Sequence, residues 1–240
     1  MNTAKKIKER INSIKEGETF TYDQLAIDRN EYASATKAVE RLLKKRIIKR
    51  LRPGIFYKPQ KTRFGELIPN EEEILKPYLF ENGKRIAYIT GTFLYNKLGL
   101  TTQIPQVIKI ASRQKEIKVN KPYLKIKPAK SYVDVTSNNY QYLEILDALK
   151  DFSKIPDLNK KNGIKTLSEI LKNLSEKEID KLIKLSLKYP PRTRAFLGAL
   201  LENLNIQKDL DILKESLNPL SEYAYGIKNI LKTAENWNIK

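Results

Sequence analysis

Residues 32–58, YASATKAVERLLKKRIIKRLRPGIFYK, decide the fold of the first quarter of this 240-residue chain. Ala35, Val39, Leu42 and Leu43 recur at three- and four-residue steps, which predicts a helix from Tyr32 to Lys45 with these residues inward. Ser34, Lys37, Arg41, Lys44 and Lys45 then fall largely outward. The small polar start of this helix, Ser34-Ala35-Thr36-Lys37, suits insertion into a major groove, because recognition helices meet base edges with their first turns. Ile47-Ile48-Lys49-Arg50-Leu51 and Ile55-Phe56-Tyr57-Lys58 read as strands, and the intervening Arg52-Pro53-Gly54 specifies a type II turn.

Upstream, Ala4, Ile7, Ile11 and Ile14 share one stripe of a helix, which Gly17 ends. Glu18 to Thr21 reads as a short extended piece, with Thr21 capping a brief helix over Tyr22 to Ala26 and a loop running through Asn30. Three helical pieces followed by a tight basic hairpin is the order of a winged helix-turn-helix. Arg50, Arg52 and Lys58 would then touch phosphates. The competing reading makes Lys44, Lys45 and Lys49 an ordinary solvated face on a domain that docks another protein.

Charge points to a partner once it is divided along the chain. The chain carries 46 Lys and Arg against 28 Asp and Glu, a net +18, and strongly basic proteins commonly meet nucleic acid or an acidic protein. Residues 1–64 hold 17 basic and 7 acidic residues, 65–130 hold 12 and 6, and 131–240 hold 17 and 15. A Lys-rich codon bias would not gather arginine, yet Arg10, Arg29, Arg41, Arg46, Arg50, Arg52 and Arg63 all lie in the first quarter.

Beyond the hairpin, Lys58 to Gly65 has no apolar period and reads as a linker, set at residues 61–65. A DNA-binding domain over 1–60 and a larger domain over 66–240 follow, the latter α+β over 66–130 and helical over 131–240. In the middle part, helices are expected near Asn70 to Leu79 and Thr92 to Leu98, and strands over Arg85 to Gly91, Gln106 to Ala111, Lys115 to Val119 and Tyr123 to Lys127. From Asn139 the pattern is a helical bundle, with Ser175 and Glu178 forming a capping box. The fold class is therefore α+β: an N-terminal winged helix-turn-helix plus a larger mixed domain ending in a helical bundle.

With no Cys and no His, disulfides, Cys/His zinc sites, Cys nucleophiles and Ser-His-Asp triads are excluded. Glu116-Ile117-Lys118 matches part of a nuclease site, but residues 90–115 supply no second carboxylate, and a strand of alternating charge explains it better. Asp209-Leu210-Asp211 has the spacing of a nucleotidyltransferase metal pair without its Gly-Ser loop. Neither GxGxxG nor GxxxxGK[ST] occurs. No enzyme activity, metal or cofactor is expected. Mean hydropathy of −0.53 and the lack of an apolar run near 18 residues argue against a membrane partner. Met1 to Lys6 leads into a charged periodic segment rather than a secretory core, so the cytoplasm is the expected compartment.

Two further stretches are distinctive. Asn96-Lys97-Leu98-Gly99-Leu100-Thr101-Thr102-Gln103-Ile104-Pro105 is a helix end and polar turn, and Tyr189-Pro190-Pro191-Arg192-Thr193-Arg194 opens a helix. Arg192 and Arg194 run against that helix's dipole, which suggests either an acidic partner or an internal pair with a carboxylate such as Asp180.

Taken with Ala35 to Val39, Leu42-Leu43, Ile47-Ile48, Arg52 to Tyr57 and Thr90-Gly91, these stretches resemble AbiEi-like antitoxins of type IV toxin-antitoxin systems over most of the chain. The resemblance implies a bacterial protein whose winged helix binds double-stranded promoter DNA and represses its own operon. It also implies that the larger domain opposes a nucleotidyltransferase toxin encoded nearby, without a need for tight contact. Arg46 stands where that family's helix often ends with Gly, the residue that most easily takes a left-handed cap. The alternatives are a stand-alone regulator whose C-terminal domain senses a ligand and a protein-binding adaptor; a nucleotidyltransferase gene next door would favour the antitoxin.

Overall fold

The computed structural model describes residues 3–63, 65–121 and 124–240, and the chain is mixed α+β. It divides into two units, Met1–Lys84 and Arg85–Lys240.

In the first unit, helix α1 (Thr3–Ser13) buries Ile7 and Ile11, as its spacing requires. Gly17, at φ +83°, donates its N–H to the Lys58 carbonyl at 2.8 Å and turns the chain into β1 (Thr19–Thr21). The expected cap differs. Thr21 ends the strand, its N–H donating to Gln24 Oε1 at 2.8 Å, and the following piece is a 3-10 turn, Asp23–Leu25. A second 3-10 turn, Arg29–Glu31, runs directly into α2 (Tyr32–Lys44), so the loop expected there is partly ordered. Strands β2 (Lys49–Arg52) and β3 (Ile55–Tyr57) join through Gly54 at φ +78°, as a type II turn demands. The sheet order is β1-β3-β2, with Phe20 opposite Phe56, and a register shift between Arg50 and Arg52. Ile7, Ile11, Phe20, Leu25, Val39, Leu42, Ile48 and Phe56 share one core.

The end of α2 answers the missing glycine. Arg46 itself adopts the left-handed conformation at φ +54°, its N–H donating to the Leu43 carbonyl while Ile47 N–H donates to Leu42, both at 3.0 Å. This is the Schellman arrangement with an arginine in the strained position. The left-handed conformation costs about 1–2 kcal/mol in a non-glycine residue, partly offset here because glycine loses more chain entropy on folding. Arg46→Gly should therefore raise stability by about 0.5–1 kcal/mol, and Arg46→Val should lower it by about 1 kcal/mol or more. Urea unfolding of the two variants checks this; a stabler valine variant would be inconsistent with the strain.

Residues read as a linker instead pair. Strands β4 (Gln60–Thr62) and β5 (Gly65–Leu67) form an antiparallel hairpin inside the first unit, and Phe64 lies outside the described residues. Helix α3 (Glu71–Leu79) follows, capped by Asn70, whose side chain accepts the Glu73 N–H at 2.9 Å. Glu73 Oε2 accepts the Thr19 N–H at 3.0 Å, tying α3 to β1. Two short strands, β6 (Phe80–Glu81) and β7 (Lys84–Arg85), complete this part of the chain.

The second unit holds a four-stranded sheet in the order β10-β11-β9-β8. Its members are β8 (Ala87–Thr90), β9 (Ile108–Ser112), β10 (Val119–Lys121) and β11 (Leu124–Lys130), with α4 (Thr92–Lys97) between β8 and β9. Strands β9 and β11 are parallel; the other pairs are antiparallel. The strand expected over Lys115 to Val119 is displaced: Glu116-Ile117-Lys118 precede β10, Ile117 being buried, while Tyr123 of the last expected strand lies outside the described residues.

Helices α5 (Tyr140–Asp151), α6 (Lys160–Lys172), α7 (Glu176–Ser186) and α8 (Pro191–Asn203) form the bundle, with α5 against α7 and α8. The capping box forms, Ser175 N–H donating to Glu178 Oε2 at 2.8 Å, and Pro191 opens α8. After the short α9 (Asp211–Glu215) the helical reading no longer holds. Residues 216–240 run as turns with one 3-10 piece, Glu235–Trp237, and place Trp237 in the core. Among the described residues no helix is long and apolar enough to cross a membrane.

Candidate nucleic-acid interface

The geometry of α2 follows from which side is sunk. Ala35, Ala38, Val39 and Leu42 are buried, in one core with Ile7 and Ile11 of α1. Ser34, Lys37, Arg41, Lys44 and Lys45 are consequently exposed, the first four at three- and four-residue steps along one face. Thr36 is half-buried and donates its hydroxyl to the Tyr32 carbonyl at 2.9 Å, which occupies it within the helix. The start of α2 is held by Glu31, whose carboxylate accepts from Thr3 Oγ1 at 2.9 Å and Lys6 Nζ at 3.3 Å. The Thr3 hydroxyl and then Lys6 hold the Glu31 carboxyl below the usual range. Acidic charge at this end is therefore spent on α1, away from the exposed cations.

The three hairpin cations divide. Arg50 is exposed, its guanidinium 5.7 Å from the Phe56 ring. Arg52 is placed otherwise. It lies 4.2 Å over the Tyr78 ring, donates to the Tyr78 hydroxyl and reaches the Ile74 carbonyl at 3.3 Å, so it holds α3 to the hairpin. Lys58 donates to the Asn12 and Ile14 carbonyls, each at 3.2 Å, and so closes the C-terminal end of α1. These two expected phosphate contacts act inside the fold, because carbonyls and an aromatic face come within reach only when α1 and α3 have packed.

Three further cations outside the predicted contact set are exposed in the same unit. Arg46 is exposed at the end of α2, and Lys61 and Arg63 are exposed on the β4–β5 hairpin. That hairpin is fastened to β2 by Lys49 Nζ and Glu66 Oε2 at 2.5 Å. The Glu66 contact holds the Lys49 ammonium above its usual range, and Lys49 holds the Glu66 carboxyl below its own. A signal existed in the density of Lys and Arg from 44 to 63, but it carried no apolar period to place it on a strand.

In the second unit, Arg192 and Arg194 sit at the start of α8. Asp180 does not pair with either; its carboxylate takes Lys208 at 3.1 Å. Arg192 donates to Ser153 Oγ at 2.9 Å and lies 4.5 Å over the Tyr225 ring, and the Nε atoms of both arginines are buried without an acceptor among the described residues.

Residues 6–179, most of the chain, match the model of DUF6088, a family of unknown function. No curated protein matches the chain.

Proposed function

The chain belongs to the DUF6088 family, and we propose that the first unit of this member is a winged helix-turn-helix that binds double-stranded promoter DNA. In this reading α2 is the recognition helix and the β2–β3 hairpin the wing. The observation that carries it is the exposed face of α2, with Ser34, Lys37, Arg41 and Lys44 in line over a helix whose opposite side is buried. Lys37 and Arg41 reach for base edges, while Lys44, Lys45 and Arg50 meet phosphates. Arg52 and Lys58 hold the unit in shape.

The resemblance to AbiEi-like antitoxins extends the proposal. The protein then represses its own operon and opposes a nucleotidyltransferase toxin made from a neighbouring gene, and the second unit carries that activity without catalysis of its own.

Two measurements test these steps separately. Binding to the duplex upstream of its own gene, followed by anisotropy over a salt series, should give a log K against log salt slope near −4 to −5 if about five phosphates are met. Lys37→Ala or Arg41→Ala should cost about 1–3 kcal/mol on the preferred sequence, and Arg52→Ala should lower the melting temperature. A slope near zero rejects the DNA reading. Co-expression of the neighbouring toxin then tests the antitoxin step: the Lys37→Ala/Arg41→Ala chain should still protect cells while repression is lost. Loss of protection in parallel with repression would place both activities in the first unit.

A further inference from the structure

The sheet of the second unit sets lysines against one another. In the parallel β9–β11 pair, Lys109 is the direct partner of Lys127, and Lys125 lies two residues before Lys127 on the same face. Asn120 of β10 faces Lys125. All four are exposed. Neighbouring strands run about 4.8 Å apart and i, i+2 residues about 6.6 Å apart, so the three lysines leave the sheet from adjacent positions on one face, the stem of Lys109 lying beside Gly91. Like charges directly opposite destabilise a sheet. Among the described residues no carboxylate pairs with any of the three. Further along this face the alternation brings Ala111, Ala129 and the buried Tyr88, so the lysines form the wet end of a face whose other end is core.

We propose that this face binds the phosphate backbone of double-stranded DNA, as a second contact indifferent to sequence. Lysine supplies a mobile point charge rather than a planar fork, which suits phosphates and reads no base. Single-strand binders add exposed aromatic platforms for base stacking. The described residues of this face offer none, since Tyr88 is wholly buried against Asp147. The backbone of a duplex is the polyanion that fits. Its being DNA rests on the reading of the first unit; the lysine array does not.

The test uses the full chain. Lys109→Gln/Lys125→Gln/Lys127→Gln is compared with wild type, with Lys37→Ala/Arg41→Ala, and with a control of equal charge change on α6 and α7, Lys165→Gln/Lys172→Gln/Lys177→Gln, all exposed positions. On a random-sequence DNA duplex the sheet variant should bind about tenfold or more weakly at low salt, with a log–log salt slope shallower by about 2–3. The control should lose far less. Relief of the Lys109–Lys127 repulsion should also raise the sheet variant's melting temperature by roughly 1–3 °C, which shows that it is folded. Unchanged binding by the sheet variant, or an equal loss in the control, overturns the proposal; if the α2 variant still loses affinity, the reading of the first unit survives. Loss in the sheet variant with none in the α2 variant rejects that reading instead and leaves this face as the binder. Tighter binding of an RNA duplex, lost in the same sheet variant, overturns DNA as the partner. A wild-type chain that binds no duplex overturns both.

Discussion

Replacing Gly198 by alanine should destabilise the second unit by about 2–3 kcal/mol, although the same change in an exposed helix stabilises by about 1 kcal/mol. Gly198 lies in the buried stretch of α8, where a Cβ would fall inside the van der Waals radii of Trp237 Cη2 and Cζ3 and 2.6 Å from Cε3. The indole has no easy retreat. Trp237 is 1% exposed, its Nε1 donates to Glu202 of the same helix, and Lys214 Nζ stands 5.3 Å over the ring. The clash therefore has to move the 3-10 piece Glu235–Trp237 or the helix itself, at the cost of an overpacked core. Because the chain has a single Trp, its emission reports the same event. A lower melting temperature with red-shifted fluorescence is expected. An unchanged melting temperature would mean that the last residues do not contribute to the core.

Asp147→Ala should cost more, about 3–5 kcal/mol, because it orphans several buried groups at once. The carboxylate is wholly buried and accepts from Tyr88 at 3.0 Å, Thr90 at 2.6 Å and Lys150 at 2.5 Å. Burial pushes the Asp147 carboxyl up, with Lys150 opposing it. For Lys150 burial works the other way, and Asp147 outweighs it, so the ammonium is held above its usual range. Alanine leaves two hydroxyls without this acceptor and a half-buried cation with only the more distant Asp151, 3.8 Å away. Asp147→Asn keeps one acceptor and should fall between wild type and alanine. Asp147→Leu/Lys150→Met removes both charges and should lose less than the alanine variant, since no unpaired ion remains. Urea midpoints for the three variants order these effects, and a double variant worse than alanine would show that the ion pair itself, rather than the avoidance of an orphan, supplies the stability.

Neither site was visible along the sequence. Gly198 sits in Phe196-Leu197-Gly198-Ala199-Leu200, an ordinary apolar helix pattern, and the residue that forbids a side chain there comes from a segment read as more helix. Asp147 interrupts a stripe at a position that could equally have faced water. The candidate interface was half legible. The periodicity of α2 put Lys37, Arg41 and Lys44 outside, because a helix decides its own inward face through residues three and four apart. Arg52 and Lys58 looked alike in sequence to Arg50, and differ only in having Tyr78, Ile74, Asn12 and Ile14 brought to them.

What the sequence by itself determined is what contacts within a few residues decide: the helices over 3–13 and 32–44, the Pro53-Gly54 turn, the Ser175–Glu178 box and the start of α8 at Pro191. Each of these rests on backbone preference or on a partner one helical turn away. Only the tertiary structure decided that Lys109 stands opposite Lys127 and that Arg52 and Lys58 are held inside the fold. Strand pairing joins residues far apart in the chain, and its register is set by which faces the rest of the fold buries. A cation's neighbours, and hence its freedom to meet a phosphate, follow from that packing and not from its own place in the sequence.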